Sequence, residues 1–93
     1  MKYEIKTAKK FKRGLKLAAK QGLDVNELRT VVDTLAAGEK LPEKYVDHEL
    51  KGNRKDEREC HINSDWLLVY QYIKSDLVLY LLELGTHSKL FKK

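Results

Sequence analysis

Three histidines, an aspartate and two aromatics fall at short intervals in the second half of this chain. His48 lies in Asp-His-Glu-Leu; His61, Asp65 and Trp66 lie in His-Ile-Asn-Ser-Asp-Trp; His87 and Phe91 lie in Gly-Thr-His-Ser-Lys-Leu-Phe. The chain has no other histidine and no other tryptophan. Histidine both takes and gives a proton near neutral pH, so three of them beside strand ends point to acid–base chemistry. The polymer such chemistry would suit is anionic. Cutting an RNA strand without a metal needs a base for the 2′-hydroxyl, an acid for the departing 5′-oxygen, groups that stabilise phosphorane-like charge, and a surface that holds bases. Histidine can fill the first two roles and Arg, Lys or protonated His the third. Trp66 and Phe91 can fill the fourth by stacking, worth about 1–3 kcal/mol per base.

Each of these residues also has a plainer reading. Asp65 is a turn-forming residue, and aromatics are commonly core. Zinc is the chemical rival, since three His and an Asp can ligate it. His61 and Asp65 are the only close pair, however, and no His-x-x-x-His or Cys-x-x-Cys is present. The expectation is no metal and no cofactor.

The elements that must position these residues form one small α+β domain over 1–93. The net charge is +5, but residues 1–20 carry eight Lys/Arg against one Glu, a local +7. Such a basic end steers toward phosphate or is simply a solvated helix face. Composition is 42% hydrophobic, enough for one core. No apolar run reaches membrane-spanning length, and the N-terminus lacks a signal-peptide stretch. A single Cys60 makes no internal disulfide, so a reducing cytoplasm is expected.

Residues 2–6 alternate as a strand. Thr7 reads as the N-cap of a helix to about Gln21, with Phe11, Leu15 and Ala18 on its apolar face. Lys9, Lys12, Arg13, Lys16 and Lys20 line the other face and are candidates for RNA or ribosome binding. Gly22 ends that helix. Asp24 caps a second, with Glu27 completing a capping box, a stripe of Leu28, Val31, Val32 and Leu35, and a stop at Gly38. Residues 39–54 read as a long loop, and 55–62, 66–73 and 77–84 as an antiparallel meander. Parity puts Arg58, Cys60, Leu68, Tyr70, Tyr72, Tyr80 and Leu82 on one face. Leu67, Val69, Ile73, Leu77, Leu79 and Leu81 share the other, with His61. The second is greasier and is expected to take the helices, which leaves His61 awkwardly placed unless a bulge reverses it.

Arg58-Glu-Cys-His61-Ile-Asn-Ser-Asp65-Trp66-Leu-Leu-Val-Tyr70 resembles the central motif of the YafQ-type toxins of the RelE/ParE superfamily. Asp47-His48-Glu-Leu-Lys-Gly52 resembles their upstream loop and Gly85-Thr-His87-Ser-Lys-Leu-Phe91 their C-terminal signature. One departure is Asn63-Ser64, where the family often has a proline. The resemblance implies a RelE-like β-α-α-β-β-β fold, a helical hairpin on a small, mainly antiparallel twisted sheet. It implies a ribosome-dependent, metal-independent mRNA endoribonuclease, the toxin of a type II toxin–antitoxin pair, which cuts mRNA in the ribosomal A site. The catalytic positions it implies are His48, His61, Asp65 and His87, with Arg58, Trp66 and Phe91 holding substrate. The partners implied are the ribosome, mRNA and a cognate antitoxin of the DinJ/RelB-like kind. Two alternatives stand beside this: a ParE-like toxin that binds a protein such as DNA gyrase, and a non-catalytic RNA-binding domain.

Overall fold

A computed structural model describes residues 2–63 and 65–90 of the chain. Strand β1 (Glu4–Thr7) leads into helix α1 (Lys9–Lys20) and helix α2 (Val25–Ala36); then follow β2 (His48–Glu49), β3 (Arg58–His61), β4 (Trp66–Ile73), β5 (Val78–Thr86) and a short helix α3 (His87–Leu90). The strands make one sheet in the order β1-β5-β4-β3-β2, antiparallel except where β1 runs parallel to β5. The α+β architecture with two helices on a mainly antiparallel sheet is the expected one.

The helix ends follow from local chemistry. Thr7 is not the cap of α1; it pairs with Leu81 in β1, and Ala8 takes the N-cap position with no side-chain bond. The β-branched Thr7 suits the strand, and the Ala8 N–H still bonds the Leu81 carbonyl. Gly22 sits at φ +92°, and Leu23 N–H returns to the Ala18 carbonyl, a Schellman closure. The same closure ends α2, with Gly38 at φ +78° and Glu39 N–H on the Thr34 carbonyl. Asp24 caps α2 through Asn26 and Glu27 N–H at 2.9 and 3.3 Å. The Glu27 carboxylate does not close the box; it accepts instead from the Tyr45 hydroxyl.

On β3 and β4 the sheet faces are the reverse of the expected ones, whereas Leu79 and Leu81 of β5 lie on the helix side as expected. Cys60, Leu68, Tyr70, Leu79, Leu81 and Leu84 join Phe11, Ala18, Leu28, Val31 and Leu35 in the core under the helices. Two causes combine. Leu77 does not begin the strand; it takes the left-handed conformation (φ +53°) after a 3-10 turn at Lys74–Asp76. The β4–β5 ladder also slips between Val69 and Tyr70, so Val69 faces Glu83 while Tyr70 faces Leu81 and Leu82 is the extra residue. The bulge lets both Leu84 and Leu81 point at the helices. The tyrosines enter this core because their hydroxyls find partners at its rim: Tyr72 donates to the Leu35 carbonyl at 2.7 Å and Tyr70 to Asp47.

The expected loop over 39–54 contains structure of its own. It holds 3-10 turns at Glu43–Tyr45 and Gly52–Arg54 and the two-residue strand β2. Leu67 and Val69 are buried on the face away from the helices. Leu90 of α3 stands over Gly85, the cross-strand partner of Leu67, and Arg54 pairs with Glu83, the partner of Val69. Among the described residues no helix is long and apolar enough to cross a membrane.

Candidate active site

His48, Glu59 and His61 share the sheet face opposite the helices. His48 is paired with Glu59 across β2–β3, and His61 lies two residues further along β3, paired with Leu67. No bulge is needed to place His61; the conflict vanishes because the Leu67 face is the one without the helices.

The β2–β3 ladder sets His48 beside Glu59 with ring centroids of His48 and His61 6.5 Å apart. His48 is clamped from both ends. Its Nδ1 is 2.7 Å from the Val46 carbonyl, which only accepts, so Nδ1 carries a proton. Its Nε2 is 3.3 Å from Glu59 Oε1. A favourable Nε2–Oε1 contact therefore requires one more proton, on the ring or on the carboxyl. Val46 achieves this with φ +50°, a conformation β-branched residues rarely adopt, at about 1–3 kcal/mol. Glu59 is 4% exposed, and its second oxygen, Oε2, is buried without a hydrogen-bond partner among the described residues. An acceptor left this way is unfavourable by roughly 1–3 kcal/mol and marks a place where a proton or a substrate group belongs. Glu59 was not among the residues singled out from sequence. Its signal was a carboxylate at i−2 from His61 in a strand, on one face with it.

His61 lines a cavity of about 350 Å³ with Glu27, Lys44, Tyr45 and Asn63. There the hydrogen bond to Glu27 raises the Tyr45 pKa above its ordinary value. Asn63 builds the β3–β4 turn by accepting from Asp65 and Trp66 N–H at 2.9 and 3.0 Å. An asparagine side chain thus does the turning that a proline would otherwise do.

Asp65 and His87 meet at the same end of the sheet. Trp66 pairs with Thr86, so the residue before one and the residue after the other come together. Both are exposed and line a cavity of about 580 Å³ with Gln21, Thr86 and Ser88. The four candidate catalytic residues therefore gather at one sheet end as two neighbouring pairs, not as one deep pocket. Trp66 is 7% exposed and belongs to the core, with only an edge on this cavity. It is not an open stacking platform. Phe91 lies outside the described residues.

Arg58 faces the helix side, away from the histidines. It bonds Asp47 at 3.0 Å, approaches Tyr70 Oη at 3.4 Å and lies 3.7 Å from Glu49. Burial works against its charge, but the Asp47 bond more than restores it, and its pKa is held above the ordinary value. Burial pushes the neighbouring Cys60 thiol up, so it stays protonated and unreactive at neutral pH. Lys9, Lys12, Arg13, Lys16 and Lys20 are all exposed along α1.

The model of a family described as bacterial toxin of type II toxin–antitoxin system, YafQ, matches residues 3–92. The chain belongs to the YafQ family of toxins. The mRNA interferase toxin YafQ of Escherichia coli K12 is 34% identical over 89 residues, covering 95% of each chain. A metal-bound toxin from Helicobacter pylori superposes with a TM-score of 0.90 at 49% identity, over 96% of this chain and 99% of that one. YafQ in the E. coli DinJ–YafQ complex superposes with a TM-score of 0.86 at 33% identity, over 96% and 98%.

The metal in the H. pylori toxin invites a test of fit here. Among the described residues no group of three or more His, Cys, Asp or Glu is arranged to hold a metal ion. His48 has Nδ1 committed to a carbonyl and Nε2 turned to Glu59, and the His61 ring stands apart from it. As placed, these side chains do not converge as a set of three ligands.

Proposed function

We propose that this YafQ-family toxin is an mRNA endoribonuclease that acts in the ribosomal A site, in the cytoplasm, by metal-independent acid–base catalysis. The observation that carries the reading is the His48–Glu59 pair beside His61, with a buried carboxylate oxygen that has no partner among the described residues. His48 is the better placed base: Nδ1–H stays on the Val46 carbonyl, Nε2 is the nitrogen that accepts, and the facing Glu59 carboxylate stabilises the imidazolium that forms. The substrate 2′-hydroxyl gives up its proton there as its oxygen attacks phosphorus. His87, beside Asp65, protonates the departing 5′-oxygen as the P–O5′ bond breaks, leaving a 2′,3′-cyclic phosphate. His61 stands between them and donates a hydrogen bond to the phosphorane-like oxygen.

Dependence on the ribosome is supported by the shape of the site. Two shallow, separate cavities do not fix a flexible RNA strand in line for attack, so an outside scaffold must do so. The exposed cations of α1 suit ribosomal RNA as that scaffold. The E. coli relative forms a complex with DinJ, and we propose an antitoxin of similar kind for this chain. Expression with and without ribosomes, followed by mapping of mRNA 5′ ends, tests the reading: new ends confined to ribosome-bound messages support it, and intact messages oppose it.

A further inference from the structure

A trough runs from the His87 end of the sheet along α1. The cavity holding Asp65 and His87 shares Gln21, Trp66, Thr86 and Ser88 with a second cavity of about 590 Å³. On its helical side the second cavity is lined by Lys10, Arg13, Leu17 and Gln21, spaced three to four residues apart on one face of α1 and at its C-cap. Its floor is backbone. A Cβ on Gly14 would lie 1.9 Å from the Leu84 carbonyl oxygen, so α1 rests directly on β5 there.

We infer that this trough seats the mRNA segment adjoining the cleaved bond, and that Gln21, where the two cavities meet, reads a base edge. The inference rests on the endoribonuclease reading and names the path of its substrate. The chemistry changes along the trough in the order a nucleic acid strand requires. At the far end Lys10 and Arg13 offer cations for phosphates. Glu83, the carboxylate in that stretch, is already neutralised by Arg54. Near the reacting bond the lining turns to an amide and hydroxyls, Gln21, Thr86 and Ser88, beside the Asp65 carboxylate. An amide presents donor and acceptor together, which matches the edge of an unstacked base.

The test uses the full chain with ribosomes that display a set of A-site codons, and compares wild type with Gln21→Leu, Lys10→Gln and Arg13→Gln. Gln21→Leu keeps the bulk and removes the amide. The expected result is a fall of at least about fivefold in the ratio of cleavage between preferred and disfavoured codons, with the melting temperature unmoved. Lys10→Gln and Arg13→Gln should raise KM without changing the preference. An unchanged codon ratio in Gln21→Leu, while wild type cleaves, overturns the inference alone. Weakened binding of an acidic antitoxin with an unchanged ratio also overturns it and assigns the trough to that protein. A wild type that cleaves nothing overturns the endoribonuclease reading and takes this one with it.

Discussion

His48 Nε2 lies 3.3 Å from Glu59 Oε1 while His48 Nδ1 is taken by the Val46 carbonyl, so Nε2 is the ring nitrogen that faces the buried glutamate. The relation makes Glu59 a positioning residue for His48. A buried carboxylate with a bare oxygen is a poor choice for stability, which is the pattern of a residue kept for chemistry.

Glu59→Gln tests this. The amide keeps the size and removes the charge and the proton exchange. mRNA cleavage should fall by roughly 10²- to 10⁴-fold, the usual effect of losing an acid–base partner. The melting temperature should hold or rise, because a buried charge is gone. Full cleavage, or a collapse of the fold that accounts for the loss, would remove Glu59 from the mechanism.

Arg58 separates structural from substrate roles. Its guanidinium ties β3 to Asp47 on the helix face, and Tyr70 joins the same carboxylate. Arg58→Ala should destabilise the domain by about 1–3 kcal/mol, seen as a drop of several degrees in the melting temperature. Cleavage at a temperature where the variant is folded should stay within a few-fold. A large loss of cleavage with an unmoved melting temperature would return Arg58 to phosphate binding.

Gly14→Ala tests how α1 meets the sheet. With its Cβ 1.9 Å from the Leu84 oxygen, the helix must lift away from β5. Overpacking against backbone of this kind should destabilise by about 1–3 kcal/mol. A denaturation midpoint equal to wild type would show that α1 does not rest on β5 so closely.

How far the sequence reveals this molecule depends on the residue. Asp24, Gly22 and Gly38 mark helix ends through capping chemistry that acts over four or five residues, and those ends are where they were expected. The span 66–73 coincides with β4 because its apolar run is bounded by polar turns. β2 was missed because two residues, His48 and Glu49, carry no periodicity; only pairing to Arg58 and Glu59 makes them a strand. Leu79 and Leu81 face the helices as expected, but the faces of β3 and β4 that join them are the reverse of the expected ones, because Leu77 turns left-handed and Leu82 is bulged, two single-residue events that shift a period-two pattern without leaving a local mark. His61 was readable as a candidate, whereas its side of the sheet was not. Glu59 was hidden because a strand carboxylate has no chemistry until His48 is folded against it.

The α1 cations give a salt-dependence prediction. Lys12→Glu with Lys16→Glu should weaken ribosome binding and flatten its dependence on salt, as lost phosphate contacts require. Both positions are exposed, so the melting temperature should barely move. Unaltered ribosome affinity in a filter-binding or sedimentation assay would leave the stripe a solvated face.

The central claim is metal-independent cleavage of ribosome-bound mRNA by the paired histidines. Its most direct test is single-turnover cleavage of a defined message on purified ribosomes, with free magnesium held constant and transition metals chelated, for wild type, His48→Ala and His87→Ala. The account predicts full wild-type cleavage under chelation, a 2′,3′-cyclic phosphate at the new end, and a loss of roughly 10²- to 10⁴-fold in each variant. Cleavage that vanishes with chelation and returns with a stoichiometric metal, or that persists undiminished in both variants, would contradict it.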